Sequence, residues 1–593
     1  MTFQAPVRDL LFALTDVIDI DRLRATQAFA DLDLETVAAV LEAAGAIATD
    51  VLAPLNRAGD KSGATYANGK VTAAPGFAEA YKTFAEGGWN SLAADPDFGG
   101  QGLPKALELA VFEMMHAANM AFSLCPMLTQ GAIEAIHTHG TERQKALYLP
   151  HMISGAWTGA MNLTEPHSGS DLGTLRTRAE PDGQGGYKLY GQKIFITWGD
   201  HDCTDNIVHL VLARLPDAPE GSKGISLFLA PKRLVSDDGV LGAPNDLRPG
   251  GIEHKLGIHA SPTGVMLFDG AQAELVGQPN KGLAHMFTMM NAARLNVGAQ
   301  GVGIAERAYQ QALAYAQERR QGRSAWTHEA SAPIFDHPDV RRTLVGMKAK
   351  IEAARAICLL TAINADLSRH AADPAERAAA ALREEVLTPI AKAWSTDIGV
   401  EVASQGVQIH GGMGFIEETG AAQHYRDARI APIYEGANGI QAIDLAGRKL
   451  AMQDGAGIKA LVQDMRATAD TLLSNDNPYA TGVGQRLDFA LDALEGATAW
   501  MSEHHGTPAA LAGATAYLKL AGEVIGGWLL AKGALSAMAR EDQACEDQDW
   551  AKGRLALASC YADTVLAQAP GQVAGVTAGA DALEAVTAAV LGA

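Results

Sequence analysis

Glu435 has the setting of a possible catalytic base. It stands between the apolar run Ile430–Tyr434 and the flexible stretch 436–439, which reads Gly-Ala-Asn-Gly. A carboxylate that follows an interior run can lie in a dry pocket, where burial raises its pKa and makes it a usable base. The alternative is an ordinary solvated loop glutamate, and this stretch alone does not separate the two.

A polar segment in the middle of the chain is a candidate binding loop. The sequence MNLTEPHSGSDLGTLRTRAE (161–180) contains Thr164, Ser168, Ser170 and several glycines beside a predicted strand end. Hydroxyls and exposed backbone N–H groups in such a loop can hold a polar ring system or a phosphate. The alternative is a plain surface turn.

A second segment of the same kind follows a short distance along the chain. The sequence KIFITWG (193–199) contains Phe195, Thr197 and Trp198 in series. An aromatic ring can stack on a flat ligand and a hydroxyl can hydrogen-bond to the ligand's edge. The alternative is a half-buried strand, and periodicity fits both interpretations equally well.

Common nucleotide-binding and metal-binding motifs do not occur in the sequence. It contains neither G-x-G-x-x-G after a strand nor G-x-x-x-x-G-K-[ST], and GVGIAE (301–306) lies in a helical pattern that favours close helix packing. H-E-x-x-H is also absent, and His504-His505 are predicted to be surface residues. We therefore expect neither a Rossmann fold nor a metal site.

Composition and charge narrow the class of protein. The chain has 593 residues, 48% hydrophobic and 19% charged, which predicts a globular protein of three or four domains. A net charge of −21 disfavours nucleic acid as a partner, because that affinity comes from clustered Lys and Arg. Five scattered cysteines without a C-x-x-C pair are typical of a reducing compartment. We see no signal sequence and no run near the roughly 18 apolar residues that span a membrane, so we expect a cytoplasmic protein without a membrane partner.

The spacing of apolar residues predicts four domains. These are an N-terminal α domain with an N-terminal extension (1–156), a mostly antiparallel β domain or barrel (157–280), an α-helical bundle (281–453) and a C-terminal α-helical domain (454–593). The predicted strands are 187–197, 206–215, 224–230 and 263–270, the predicted long helices include 107–122, 286–320, 338–371 and 375–408, and a loop is predicted at 474–484.

Six motifs, taken in order, resemble those of the acyl-CoA dehydrogenase family of flavoproteins. They are LTEPHSGSD (163–171), YGQKIFITWG (190–199), KLGIHASPT (255–263), QIHGGMGF (408–415), YRDARI (425–430) and IYEG (433–436). The resemblance covers roughly residues 35–450. It implies a mainly α fold with a central β domain, that is, an α domain, a β barrel or sandwich and a four-helix α domain. The extra C-terminal helical domain makes the chain similar to an enlarged subfamily.

The resemblance also assigns roles, and it makes Glu435 the catalytic base. FAD-binding positions are Leu163 and Thr164 at the flavin pyrimidine edge, Ser170 near the phosphates, Phe195 stacking on the ring and Thr197 near N5, while Arg319, Gln321, Gln408 and Gly412 reach the FAD held mainly by the partner subunit. Substrate-binding positions are Ser170, Arg294, Tyr434 and Gly436.

Two positions depart from the family pattern. The usual R-x-x-F element reads RRQGR (319–323), so it lacks the aromatic residue that packs on the cofactor. Ala437 replaces a common Thr in the loop after the base. Both departures concern the loops around the cofactor and leave the base in place.

The implied activity is FAD-dependent oxidation of an acyl-CoA to the trans-2-enoyl-CoA by a homodimer that passes electrons to an electron-transfer flavoprotein. Overall similarity favours 3-(methylthio)propanoyl-CoA, in dimethylsulfoniopropionate demethylation, as substrate. Butanoyl-CoA and other short or medium-chain thioesters are the competitors, and an acyl-CoA oxidase is the alternative enzyme. A DNA-binding flavoprotein of the same fold is the alternative from another class; the 8 Lys and Arg against 17 Asp and Glu over 451–593 argue against it.

Overall fold

The computed structural model of the chain describes residues 3–541 and 548–592. The N-terminal part is helical, as predicted, except for one short hairpin that the sequence did not predict. Its helices are α1 (Val7–Phe12), α2 (Asp21–Arg24), α3 (Leu34–Ile47), α4 (Ala53–Ser62), α5 (Phe77–Glu86), α6 (Lys105–His139) and α7 (Glu142–Ile153), and the hairpin pairs β1 (Thr65–Ala67) with β2 (Lys70–Thr72). The predicted helix 107–122 is confirmed as part of α6, which is buried over most of its length.

One helical run corrects an expectation about membranes. Residues Leu34–Ser62 form one continuous helix that is long and apolar enough, by length and composition, to cross a membrane. The expectation that no stretch approaches that length is therefore wrong. The core helix of a globular protein meets the same criterion, and here Val37, Leu41 and Leu52 are fully buried where the run packs on α6.

The β domain follows as a small barrel with attached strands. Its strands are β3 (Trp157–Asn162), β4 (Arg178–Pro181), β5 (Tyr187–Thr197), β6 (Asn206–Arg214), β7 (Ile225–Pro231), β8 (Arg233–Val235), β9 (Leu241–Pro244), β10 (Leu247–Ile252) and β11 (Thr263–Val276). Because β7 pairs with both β6 and β11, the strands β11, β5, β4, β6 and β7 close into a ring around Leu189, Val211, Phe228 and Phe268. All four predicted strands are confirmed, and most pairings are antiparallel.

The third part is built on three long helices, and all three predictions are confirmed within a few residues. They are α8 (Gly282–Glu318), α9 (Pro338–His370) and α10 (Pro374–His410), followed by the short helices α11 (Ala421–Ala428) and α12 (Asn438–Asp444). Helices α8 and α10 run side by side in the same direction. Their contact is very close, because a Cβ on Gly298 would lie 2.7 Å from the carbonyl oxygen of Ala391. The glycines of GVGIAE (301–306) lie within α8 and serve close helix packing, as predicted.

The C-terminal part is helical, as predicted, with a shorter loop than expected. Its helices are α13 (Ala456–Leu473), α14 (Pro478–Glu503), α15 (Pro508–Glu541), α16 (Gln548–Thr564), α17 (Ala569–Thr577) and α18 (Asp581–Glu584). The loop predicted at 474–484 is confined to 474–477. Helix α14 begins early because Asn477 accepts a hydrogen bond from the Tyr479 N–H at 2.9 Å and Pro478 fits the first helical position.

The N-terminal extension connects the C-terminal helices to the bundle. Phe12 packs edge-on against Trp550 of α16, with ring centroids 4.8 Å apart. Arg554 of the same helix lies 3.6 Å from both Asp9 and Glu352. These contacts bring three distant parts of the chain together around one buried charged cluster.

The cysteines are scattered through the described residues, and the adjacent histidines lie near the surface, as predicted. Cys125, Cys203, Cys358 and Cys560 are free thiols, and Cys545 lies outside the described residues. His504 and His505 contact different backbone carbonyls, those of Trp500 and Gly447, so the two rings do not converge on one point.

Candidate active site

Glu435 lies in the turn between α11 and α12 with an unusual backbone. Its φ is +55°, a left-handed value that costs a non-glycine residue free energy, and Gly436 follows at +84°. The residue keeps some exposure, but its carboxyl group is desolvated. Burial raises the Glu435 pKa to about 7, while Arg294 and Lys392 pull it down. The carboxylate accepts no hydrogen bond from the described residues, so its oxygens are available to take a proton.

Gly436 belongs to this turn, and Arg294 lies directly against it. A Cβ on Gly436 would lie 2.6 Å from Gln441 Nε2 and 3.5 Å from an Arg294 guanidinium nitrogen, so a larger residue would displace the Gln441 amide and would be strained at the positive φ. Arg294 is buried, and its Nε has no hydrogen-bond partner among the described residues. Burial lowers the Arg294 pKa, and the nearby carboxylates of Asp444 and Glu435 oppose that shift.

Tyr434 contacts Gln300, a residue that was not predicted from the sequence. Its hydroxyl donates a hydrogen bond to Gln300 Oε1, and Gln300 Nε2 lies 3.2 Å from the Met127 sulfur. Gln300 is fully buried on α8, two turns after Arg294. A buried amide in an otherwise apolar helix face is the signal that could have identified it.

Lys392 and Asn438 form a second feature that the sequence analysis missed. Lys392 is fully buried on α10, and its Nζ donates a hydrogen bond of 2.9 Å to Asn438 Oδ1. Asn438 is the first residue of α12, three positions after Glu435. A single lysine in the apolar stretch TPIAKAW (388–394) is a visible signal.

The predicted ring-binding residues meet at the end of β5. Phe195 is 59% exposed and has a left-handed φ of +58°, which turns its ring out of the sheet. Thr197 lies opposite Thr263 of β11. The loop after β3 lies beside this end of β5, because the Leu163 carbonyl accepts a hydrogen bond of 2.8 Å from Lys193 Nζ.

Thr164 belongs to the same group of residues. Its carbonyl accepts a hydrogen bond of 2.9 Å from the Ile194 N–H, which fixes the loop next to β5. Ser170, further along this loop, is exposed. Trp198, the third residue noted in KIFITWG, is buried instead and donates from Nε1 to the Ala121 carbonyl at 3.1 Å.

A buried ion pair holds the loop and the strand together. Lys193 Nζ lies 2.8 Å from Glu165 Oε1, and neither side chain is appreciably exposed. Burial raises the Glu165 pKa, but Lys193 and the hydrogen bonds from Thr177 and the Arg176 N–H outweigh burial and leave the Glu165 pKa below its usual value. Burial lowers the Lys193 pKa to about 8. This pair joins residues 28 positions apart and was not predicted from the sequence.

The remaining predicted residues lie at the other end of the long helices. Arg319 and Gln321 follow the end of α8, Gln408 and Gly412 lie at the end of α10, and all four are exposed. Tyr315 and His410 stack at 4.5 Å and hold these two helix ends together. Since α8 rises about 1.5 Å per residue, Arg319 lies about 37 Å from Arg294. The structure therefore divides the predicted residues among a base end, a β5 end and a distant helix end.

The residues at the β5 end fit a flavin ring. An exposed aromatic side chain lies beside hydroxyls and loop backbone that are partly open to solvent, which suits a flat ligand with a polar edge. The exposed Arg319 guanidinium at the distant end suits an anionic group.

Three family domains match the chain in order. They are the acyl-CoA dehydrogenase N-terminal domain over 34–156, the middle domain over 160–271 and the C-terminal domain over 280–450. The chain belongs to the acyl-CoA dehydrogenase family. A fourth match, to the acetyl-CoA dehydrogenase C-terminal-like domain, covers 461–587 and confirms the expectation of an enlarged member of the family.

Individual relatives extend over nearly the whole chain. The 3-methylmercaptopropionyl-CoA dehydrogenase of Ruegeria pomeroyi is 45% identical over 98% of this chain and 99% of its own. A butyryl-CoA dehydrogenase of Syntrophomonas wolfei is 36% identical over 94% of each chain. Among solved structures, ACDH-11 of Caenorhabditis elegans in complex with C11-CoA has a TM-score of 0.78 at 21% identity, covering 95% of this chain and 92% of its own. That last similarity concerns the fold.

Membership in the acyl-CoA dehydrogenase family confirms the predicted fold class of a mainly α protein with a central β domain. It also confirms the prediction of an FAD-dependent oxidoreductase that acts on acyl-CoA.

Proposed function

We propose that this acyl-CoA dehydrogenase oxidises 3-(methylthio)propanoyl-CoA to 3-(methylthio)acryloyl-CoA, with Glu435 as the base. The observation that carries the proposal is the desolvated carboxylate on a left-handed turn, with a pKa near 7 and no hydrogen-bond donor among the described residues. The substrate is supported by the 45% identity to a dehydrogenase named for the same thioester, whose methylmercapto group is the methylthio group.

In this mechanism Glu435 removes the proton from the α carbon of the thioester. That proton is weakly acidic, so the reaction needs a desolvated base and a donor that stabilises the carbonyl oxygen as negative charge develops there. The Glu435 N–H donates no hydrogen bond to the described residues and is available for that carbonyl oxygen. Bound FAD supplies the acceptor for the hydride that leaves the β carbon. Tyr434, Gly436 and Arg294 surround the base and are the proposed substrate contacts, together with the exposed Ser170.

The proposed cofactor contacts come from two chains. Leu163, Thr164, Phe195 and Thr197 hold the flavin ring of their own subunit, and Ser170 lies near its phosphates. Arg319, Gln321, Gln408 and Gly412 reach the FAD of the partner subunit in a homodimer. The wide separation between the base and these four exposed residues supports that division.

Further proposals concern the electron acceptor, the location and the pathway. We propose that an electron-transfer flavoprotein accepts the electrons, that the enzyme is cytoplasmic and that it acts in dimethylsulfoniopropionate degradation. A short or medium-chain acyl-CoA is the second candidate substrate, favoured by the 36% identity to a butyryl-CoA dehydrogenase. Oxygen uptake during turnover would reveal the alternative acyl-CoA oxidase. A DNA complex that persists at moderate salt would revive the DNA-binding alternative.

The experiment that tests the proposal is an anaerobic titration of the flavin-loaded protein with 3-(methylthio)propanoyl-CoA and butanoyl-CoA. We expect both the flavin absorbance and its bleaching in the wild type, and no bleaching in Glu435→Gln. Comparison of the two initial rates ranks the substrates. A flavin-loaded wild type that neither thioester bleaches would contradict the proposal.

A further inference from the structure

Lys392 is a buried amino group that lacks an acidic partner in direct contact. Its side chain is fully buried, and within the described part of the chain it forms no ion pair. Its one described hydrogen bond goes to a neutral group, Asn438 Oδ1, at 2.9 Å. A charge in this setting is costly to keep, so its presence in the core calls for a reason beyond packing.

Asn438 is held by one face of α10. Its Nδ2 donates to the Ala393 carbonyl at 3.0 Å, to Thr396 Oγ1 at 3.0 Å and to Asp397 Oδ1 at 2.8 Å, while its Oδ1 accepts from Lys392. Both ends of this amide are therefore fixed to the helix. Asn438 also begins α12, so the contacts fix the start of that helix.

The turn held in this way is the one that carries the base. Glu435 and Gly436 both have left-handed backbones, and such conformations persist when the surroundings over-determine them. The Asn438 N–H, donating to the Pro432 carbonyl at 3.0 Å, closes the turn from the other side. Loss of the Asn438 contacts would free the segment that aims the Glu435 carboxylate.

We propose that Lys392 is a positioning residue for the reaction: its ammonium group fixes the Glu435 turn through Asn438, and its charge favours the carboxylate form of the base. The proposal rests on the proposed role of Glu435 as base. The Lys392 side chain then has two effects. It helps to fix the direction in which the Glu435 carboxylate points, and it influences whether that carboxylate is protonated.

The charges around Lys392 agree with this role. Burial lowers the Lys392 pKa to about 7, Glu435 and Asp397 raise it, and Arg294 lowers it. In return, Lys392 and Arg294 lower the Glu435 pKa, against the larger effect of burial. Removal of the Lys392 charge would leave Arg294 as the cation beside the base, so the Glu435 pKa would rise.

The test is the rate of anaerobic flavin reduction by 3-(methylthio)propanoyl-CoA as a function of pH, measured on flavin-loaded enzyme. Lys392→Met removes both the charge and the contact with Asn438. We expect a lower maximal rate and a rising limb displaced to higher pH by about one unit, since a nearby opposite charge shifts a pKa by that order without direct contact. Lys392→Gln keeps a donor for Asn438 without the charge, so it should show the same displacement with a smaller loss of maximal rate.

Two matched variants separate charge from position. Lys392→Arg carries a charge that does not titrate in this range, so its limb should lie at or below the wild-type pH, and Asn438→Ala should lower the maximal rate and leave the limb in place. An unshifted limb in both neutral variants, or a wild-type rate in Asn438→Ala, would overturn the proposal. If the wild type itself is not reduced by an acyl-CoA, the proposed function fails instead, so the two failures are distinguishable.

Discussion

Helices α8 and α10 run side by side, and their two ends carry different kinds of site. At one end, Arg294 and Lys392 are buried and the Glu435 turn is fixed by hydrogen bonds to α10. At the other end, Arg319 and Gln408 are exposed. The difference teaches that the chain holds its candidate base rigidly with its own residues, and leaves the candidate outer cofactor residues open to solvent.

The largest expected effect lies at the buried end. Glu435→Gln should lower the rate of flavin reduction by about 10²- to 10⁴-fold, because a positioned base contributes that much, while flavin binding stays intact. Stopped-flow absorbance measures the rate. The control is Glu418→Gln, an exposed carboxylate at the distant end, which should reduce at the wild-type rate. Loss of flavin from Glu435→Gln would break the distinction between the two ends.

At the exposed end we expect the reverse, namely weaker FAD binding with little change in the rate of flavin reduction. Arg319→Ala should weaken FAD binding by roughly 10- to 100-fold, the effect of removing a hydrogen bond to a charged group. The reduction rate of the fully loaded variant should change little. Equilibrium dialysis of flavin measures the binding, and Arg486→Ala, an exposed arginine of the C-terminal helices, is the control. A variant that binds FAD normally but reduces slowly would reverse the assignment of the two ends.

The pH dependence of flavin reduction separates the two ends of α8 and α10 further, because it tests the buried end alone. The Glu435 pKa is raised to about 7, so the carboxylate becomes protonated and the base is lost as the pH falls through that value. The reduction rate should fall about tenfold for each pH unit well below it, since each unit lowers the carboxylate fraction tenfold. Rates at several pH values measure this. A rate that stays constant below neutral pH would show that the carboxyl group is not desolvated.

The smallest effect is expected from Ala437→Thr in the turn itself. Ala437 occupies the N-cap of α12 with an extended backbone and no side-chain hydrogen bond. A threonine hydroxyl there should stabilise the protein by about 1 kcal/mol, and the reduction rate should stay within about twofold. Thermal unfolding measures the first effect, and Ala437→Val, which lacks the hydroxyl, is the control. Equal unfolding temperatures for the two variants would contradict the capping explanation.

The sequence predicted strands best where β-branched, aromatic and other apolar residues are dense, whether the strand is partly or fully buried. Strand β5 was predicted at 187–197 and is found at Tyr187–Thr197, because its sequence YKLYGQKIFIT is rich in aromatic and β-branched residues. Strand β3 was missed because its sequence WTGAMN is short, contains a glycine and has few β-branched residues, although it is fully buried like β7. The loop at 474–484 was overestimated because Asn477 and Pro478 start a helix inside a segment that looks like a turn.

The residues of the candidate site also fall into two groups, those that local sequence identifies and those that it does not. Local motifs were enough to identify Glu435 and Phe195 as candidates, since the relevant signal lies within a few residues of each. Lys392 was missed because its partner Asn438 lies 46 residues away, and only the packing of α12 on α10 brings them together. The Glu165–Lys193 pair was missed for the same reason, because its two residues lie 28 positions apart.

The distance between the two helix ends has a consequence in genetic terms. In the proposed homodimer, each flavin site takes its base from one subunit and its outer contacts from the other. A gene copy encoding Glu435→Gln and a second copy encoding Arg319→Ala would damage different halves of a site. Cells that express both should assemble mixed dimers in which one of the two sites is complete, so two defective alleles would partly restore growth on the substrate.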